Sequence, residues 1–243
     1  MRKSIFFAAL AALMLVSVSA SAQFVQSTGG SKASSSASVE DVFSTFDFTY
    51  SPVTYKFYDD PGESKSEDLN GLSLNWAQAR LVTSQLPIYL QYGAGLQYTW
   101  KTDIEEEGGY DYSAYSFEET ISFLTVKIPV NVLYNFAVPN TSVSVMPYMG
   151  LSAQFHVLGQ TKYTYTAEYD GEKETEKINL FSEDDMDDAK YNRFCLGWQI
   201  GAMVAYDKYF VGVGYQGPVT NLWKDGDYKI NTSQVNISLG IKF

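Results

Sequence analysis

The chain has 243 residues, 16% of them aromatic, a single cysteine and a formal charge of −11 at pH 7. One cysteine excludes an intramolecular disulfide and a cysteine-based zinc cage. Net acidity lacks the clustered Lys and Arg that phosphate backbones require, which excludes nucleic acid as an expected partner.

Arg2 and Lys3 precede an apolar run from Ile5 to Val16, and Ala20-Ser21-Ala22 is a small-x-small site. This pattern predicts a secretory signal peptide over 1–22, cut between Ala22 and Gln23. The run is too short to span a membrane as a helix, and no other stretch approaches about 18 uncharged apolar residues. Residues 23–41 are rich in Ser and small residues and predict a flexible linker without secondary structure.

Residues 42–243 then read as strand after strand, each alternating with a period of two. Phe46, Phe48 and Tyr50 alternate with Thr45, Asp47 and Thr49. A polar loop over 56–68 leads to a second strand near 69–82, with Leu72, Leu74 and Trp76 on one face. The third, 87–100, sets Leu90, Leu96, Tyr98 and Trp100 against Gln91, Gly93, Gln97 and Thr99. After an acidic loop over 101–116, the fourth strand, 117–136, sets Leu124, Val126, Ile128, Val130 and Val132 against Thr125, Lys127 and Asn131. The fifth, 142–160, sets Met149, Leu151, Phe155 and Val157 against Ser152, Gln154 and His156. A long loop is expected over 161–192. The sixth strand opposes Phe194, Trp198 and Ile200 to Cys195, Gln199 and Met203. Asp207-Lys208 is a tight turn into the seventh strand, and Val235 to Phe243 is the eighth.

Eight strands with connections that alternate long and short predict an all-β, antiparallel, up-and-down transmembrane barrel. A soluble sandwich or lipocalin-like barrel would share the alternation but has no reason to alternate loop lengths or to use such long strands. Strands of this length exceed the 9–11 residues that a tilted crossing needs. Tyr and Trp near strand ends (Trp76, Tyr98, Trp100, Tyr134, Tyr206, Tyr209) suit the two membrane interfaces. The acidity sits in the connections: Asp and Glu outnumber Lys and Arg by three in 56–68, four in 101–116 and six in 161–192.

The fourth strand reads Leu124-Thr125-Val126-Lys127-Ile128-Pro129-Val130 with Tyr134-Asn135-Phe136. The fifth reads Met146-Pro147-Tyr148-Met149-Gly150-Leu151, and the seventh Val211-Gly212-Val213-Gly214-Tyr215-Gln216-Gly217. In these motifs the chain resembles the outer-membrane β-barrel domain family of Bacteroidota, the porin-family or PorT-like proteins, with barrels of the eight-stranded OmpA/OmpX type. The resemblance covers residues 42–243. It implies the bacterial outer membrane, with long loops extracellular and termini periplasmic, and it implies little about chemistry. It also implies that Phe243, as a terminal aromatic residue, is an assembly signal for the barrel-assembly machinery.

Small barrels fill their interior with side chains, so Asp47, Lys127, Gln154, His156 and Gln199 are expected as a polar lumen cluster. Arg80 is a candidate third charge beside Asp47 and Lys127. His156 is the lone histidine. Strand pairing places it opposite Phe123 with no serine or carboxylate as direct neighbour, which disfavours a lipid-modifying enzyme; no catalytic residue is assigned. Asp184, Asp185, Asp187 and Asp188 form an acidic run that lacks the alternating spacing and central Gly of an EF-hand loop and reads as a solvated loop rather than a metal site. No cofactor is expected. The expected role is non-enzymatic: surface interaction, adhesion or envelope structure through the acidic loops. The alternative is a narrow passive channel. Expected partners are outer-membrane lipid, lipopolysaccharide, the assembly machinery and an extracellular protein or glycan.

Overall fold

The computed structural model describes residues 40–58, 64–83, 85–107, 115–167, 172–182, 191–223 and 229–243. The signal cleavage site Ala22/Gln23, nearly all of the linker, and Asp184, Asp185, Asp187 and Asp188 lie outside these residues. No helix occurs among the described residues.

The chain forms β1 (Val42–Tyr50), β2 (Val53–Tyr58), β3 (Ser64–Thr83), β4 (Leu86–Glu107), β5 (Tyr115–Tyr134), β6 (Phe136–Ala137), β7 (Val143–Ala167), β8 (Lys173–Asn179), β9 (Phe194–Tyr206), β10 (Tyr209–Pro218) and β11 (Lys229–Lys242). All pair antiparallel, and the sheet closes on itself. Phe48 of β1 pairs with both Leu239 of β11 and Leu74 of β3. β2 continues the same position beyond Ser51-Pro52, between β11 and β3. β6 extends β5, and β8 is added along β7. The barrel wall therefore has eight staves: β1 with β2, β3, β4, β5, β7, β9, β10 and β11.

Tight connections gather at one end, where Asn140 and Asp207 adopt φ of 59° and 53°. Asn and Asp tolerate this left-handed conformation better than other residues with a side chain. Glu40 and Lys242 meet at the same end through a 2.8 Å ion pair. The longer connections gather at the opposite end.

The two faces of the wall are inverted relative to a soluble barrel. Phe48, Leu74, Val130, Leu151, Ile200, Val213 and Leu239 are exposed outward. Thr49, Ser73, Gln91, Gln97, Lys127, Asn131, Gln199 and Gln234 are buried inward. Of the expected interface aromatics, Trp76 departs from its place, pairing mid-strand with Phe46 and Ala94.

Four expectations change. The connections at the loop end are shorter than their polarity suggested, because polar cross-strand pairs carry the ladders onward. β4 runs to Glu107 and β5 resumes at Tyr115, inside the predicted 101–116 loop. Residues 161–167 prolong β7, and Lys173–Asn179 returns along it as β8, inside the predicted 161–192 loop. β2 to Tyr58 and β3 from Ser64 likewise narrow the 56–68 loop. The fourth change is register. Leu124 pairs with Leu158 but Thr125 pairs with His156, so Val157 is an extra residue in the ladder. Such a bulge leaves one residue unpaired and resets the alternation. His156 therefore faces Thr125, not Phe123, and Leu158 takes the outward position.

Candidate functional site: a layered lumen

The lumen is filled in layers. At the turn end, Phe43, Tyr89, Leu133, Met146, Met203 and Phe210 form an apolar plug. Tyr89 meets Phe43 edge-on at 5.1 Å, and its hydroxyl donates to the Glu40 carbonyl at 2.8 Å. Gly240 is required here: a Cβ would fall 2.5 Å from the Phe210 ring.

Above the plug lies a polar cavity of about 90 Å³ lined by Asp47, Asn75, Lys127, Tyr148, Gln199 and their neighbours. A cavity of this size and polarity suits several waters. Asp47 accepts from Thr49 Oγ1 at 2.6 Å and from Asn75 Nδ2 at 2.7 Å. Lys127 faces the same cavity. Gln199 Nε2 donates to Asn131 Oδ1 at 2.5 Å, and Asn131 Nδ2 donates to Gln91 Oε1 at 2.9 Å. This amide relay passes from β9 to β5 over Gly150 of β7, where a Cβ would strike the Asn131 side chain. A second relay crosses the lumen. Gln97 Nε2 donates to Gln234 Oε1, and Gln234 Nε2 donates to Gln216 Oε1, each at 3.1 Å.

Gln154 and His156 stand at the next level, beside a smaller cavity of about 10 Å³. The expected lumen cluster is thus divided between two levels. Asp47, Lys127 and Gln199 surround the main cavity, and Gln154 and His156 sit above it. Arg80 does not join them. Asn75, Ala77 and Ala79 carry the inward phase of β3, which leaves Arg80 on the outer face, where its Nε donates to Gln78 Oε1 at 3.2 Å.

The loop end is closed by a second apolar plug containing Tyr55, Leu69, Phe123, Leu180, Cys195 and Leu222. Phe181 lies parallel to His156 at 6.2 Å and edge-on to Phe123 at 6.4 Å. The Arg193 guanidinium sits 4.5 Å from the Phe181 ring centre, a cation–π contact. Tyr191 and Trp223 are joined by a backbone bridge and an edge-on ring contact at 5.0 Å. The segments around residues 180–182, 191–193 and 219–223 thereby fold inward over the mouth.

His156 has Thr125 Oγ1 at 2.8 Å and aromatic rings around it. Ser152 lies four residues along the strand, about 13 Å away at strand rise. Its buried Oγ has no hydrogen-bond partner. No nucleophile, base and orienting carboxylate converge at this histidine among the described residues. Nor do three or more His, Cys, Asp or Glu side chains gather to hold a metal among those residues. Sequence alternation revealed the inward phase but missed the two plugs and the relays. The signal for the turn-end plug was Tyr89, Leu133 and Phe210 standing in otherwise inward-facing phase.

No family model matches the chain, and no curated protein matches it. Several solved structures do. The attachment invasion locus protein Ail of Yersinia pestis is 11% identical, with 84% of this chain and 100% of that chain covered and a TM-score of 0.33. Neisserial surface protein A is 13% identical, with 84% and 98% covered and a TM-score of 0.34. The translocator domain of the autotransporter NalP from Neisseria meningitidis is 11% identical, with 98% and 97% covered and a TM-score of 0.37.

Proposed function

We propose that this chain is a non-enzymatic, integral β-barrel of the bacterial outer membrane that acts through its extracellular loops, in surface interaction, adhesion or envelope structure. The observation that carries the reading is the inverted wall. Apolar side chains are exposed on every stave while amides, hydroxyls and a lysine are buried within. Water would penalise so large an apolar surface, whereas hydrocarbon favours it and a closed barrel leaves no unpaired edge in lipid. The loop end is read as extracellular and the turn end, with both chain termini, as periplasmic. Phe243 would then serve as the assembly signal for the barrel-assembly machinery. The motifs of the fourth, fifth and seventh sequence strands support a place among the porin-family, PorT-like barrels. Outer-membrane lipid and lipopolysaccharide are its surroundings, and an extracellular protein or glycan is the ligand class its loops would meet.

A narrow channel is the second reading, favoured by the polar cavity around Asp47 and Lys127. The apolar plugs at both ends count against it. Heat-modifiable migration of membrane-extracted protein on a gel tests the barrel reading, and a protein that is soluble after signal cleavage would refute it. Planar-bilayer recording separates the two functions: the closed barrel gives no steady single-channel steps at moderate voltage.

A further inference from the structure

Strand β8 sorts its charges by face. In Lys173-Glu174-Thr175-Glu176-Lys177, the period of two sets both lysines on one side and both glutamates on the other. The register identifies the sides. Glu176 and Glu174 pair with Tyr163 and Tyr165, whose rings contact Phe117 at 5.7 and 5.0 Å. Lys177 pairs with Lys162, on the face that runs down β7 to Leu158, which is 54% exposed in the apolar belt.

The rows across the sheet relate this lysine pair to the apolar belt. Tyr98, Leu124 and Leu158 end the belt; the next row contains Trp100, Ser122 and Gln160; the row beyond is Thr102, Thr120, Lys162 and Lys177. Along β7 itself Lys162 follows Leu158 by four residues, about 13 Å of strand, or on the order of 10 Å along the axis of a barrel whose strands tilt by roughly 40°. Trp100 stacks on Tyr98 at 5.6 Å, and such rings mark the headgroup level of a bilayer. Neither Lys162 nor Lys177 has an ion-pair partner among the described residues, whereas Lys101 is held 3.2 Å from Glu67 and 2.7 Å from Asp103. Like charges directly opposite destabilise a strand pair. The glutamates of β8 are on the far side of the sheet, and Glu118, diagonal to Lys162 on the same face, accepts from Thr120 Oγ1 at 3.4 Å rather than from a lysine.

We propose that Lys162 and Lys177 bind the phosphate of a lipid headgroup in the outer leaflet. The proposal rests on the outer-membrane reading. The acidic loops repel soluble polyanions approaching from solution. An anion that is held in the leaflet by its own acyl chains approaches sideways, at the height of the lysine row. Ammonium groups bind phosphate as point charges with three donors each.

The test uses membrane-extracted protein reconstituted in phosphatidylcholine vesicles and titrated with lipopolysaccharide, either with phosphates intact or after dephosphorylation. Binding is expected to weaken at least tenfold on dephosphorylation and in K162Q/K177Q. It is expected to persist in K162R/K177R and in K208Q at the opposite end. Equal binding by K162Q/K177Q and the unaltered protein would overturn the assignment, as would full competition by millimolar inorganic phosphate. Heat-modifiable migration checks that each variant is folded. If the unaltered protein fails to insert, the outer-membrane reading falls together with this one. If it inserts and the lysines prove indifferent, only the phosphate site falls.

Discussion

His156 Nδ1 lies 2.8 Å from Thr125 Oγ1, and the bulge at Val157 is what brings the two into register. The contact joins the amide-lined lumen to the plug above it, because the other side of the imidazole stack is Phe181. Thr125→Val removes the hydroxyl and leaves the ring in place. It should cost about 1 kcal/mol, the net worth of one buried hydrogen bond. His156→Ala should cost more, since it also removes the ring on which Phe181 and Phe123 rest. Equilibrium urea unfolding in lipid vesicles checks the order of the two effects.

The turn-end plug should be the most sensitive apolar site. Phe210 is 2% exposed and its ring covers Gly240. Phe210→Ala is expected to destabilise by about 3–5 kcal/mol through lost transfer energy and an unfilled cavity. Gly240→Val attacks the same contact from the other side by placing a branched side chain where the ring sits. The same unfolding experiment should show both variants less stable than Val211→Ala, which shortens an outward side chain.

The wall was legible in the sequence because one physical rule wrote it. A period of two separated Val130 from Asn131 and Ile200 from Gln199, and the structure puts each on its expected face. The rule fails where a ladder gains a residue, so Val157 hid the true partner of His156. It is also silent where both faces are polar, so the strand pairs of 101–107 and 173–179 looked like loop. The Gln97–Gln234–Gln216 relay joins strands far apart in the chain, and no local pattern encodes such a meeting. The loop-end plug depends on Phe181, Tyr191 and Trp223, three aromatics in connecting segments whose inward course follows from tertiary packing alone.

Asp47 and Lys127 should be coupled across the polar cavity that both line. Asp47→Asn preserves an acceptor for Thr49 and Asn75 but removes the countercharge. Lys127→Met removes the cation. Each single change is expected to destabilise, and the double variant should recover part of the loss, with a coupling on the order of 1 kcal/mol. A double-mutant cycle measured by urea unfolding decides this. Strict additivity would show that the two charges are neutralised independently by the polar wall.

The closing strand offers the sharpest test of which face meets lipid. Leu239 is 64% exposed and pairs with Val211 and Phe48, both outward. Its neighbour Ser238 lines the polar cavity. Leu239→Arg should cost about 2–4 kcal/mol if the site lies near mid-bilayer, because a guanidinium there must be desolvated or must thin the membrane to reach water. Ser238→Asn adds an amide to an interior already built from amides and should cost less. Folding yield into vesicles and urea unfolding are the measurements. The inverted wall predicts a large effect at 239 and a small one at 238. A soluble barrel predicts the reverse, with arginine tolerated at the exposed position and the inward change felt in the packed interior. Equal effects would deny that the two faces of β11 meet different media at all.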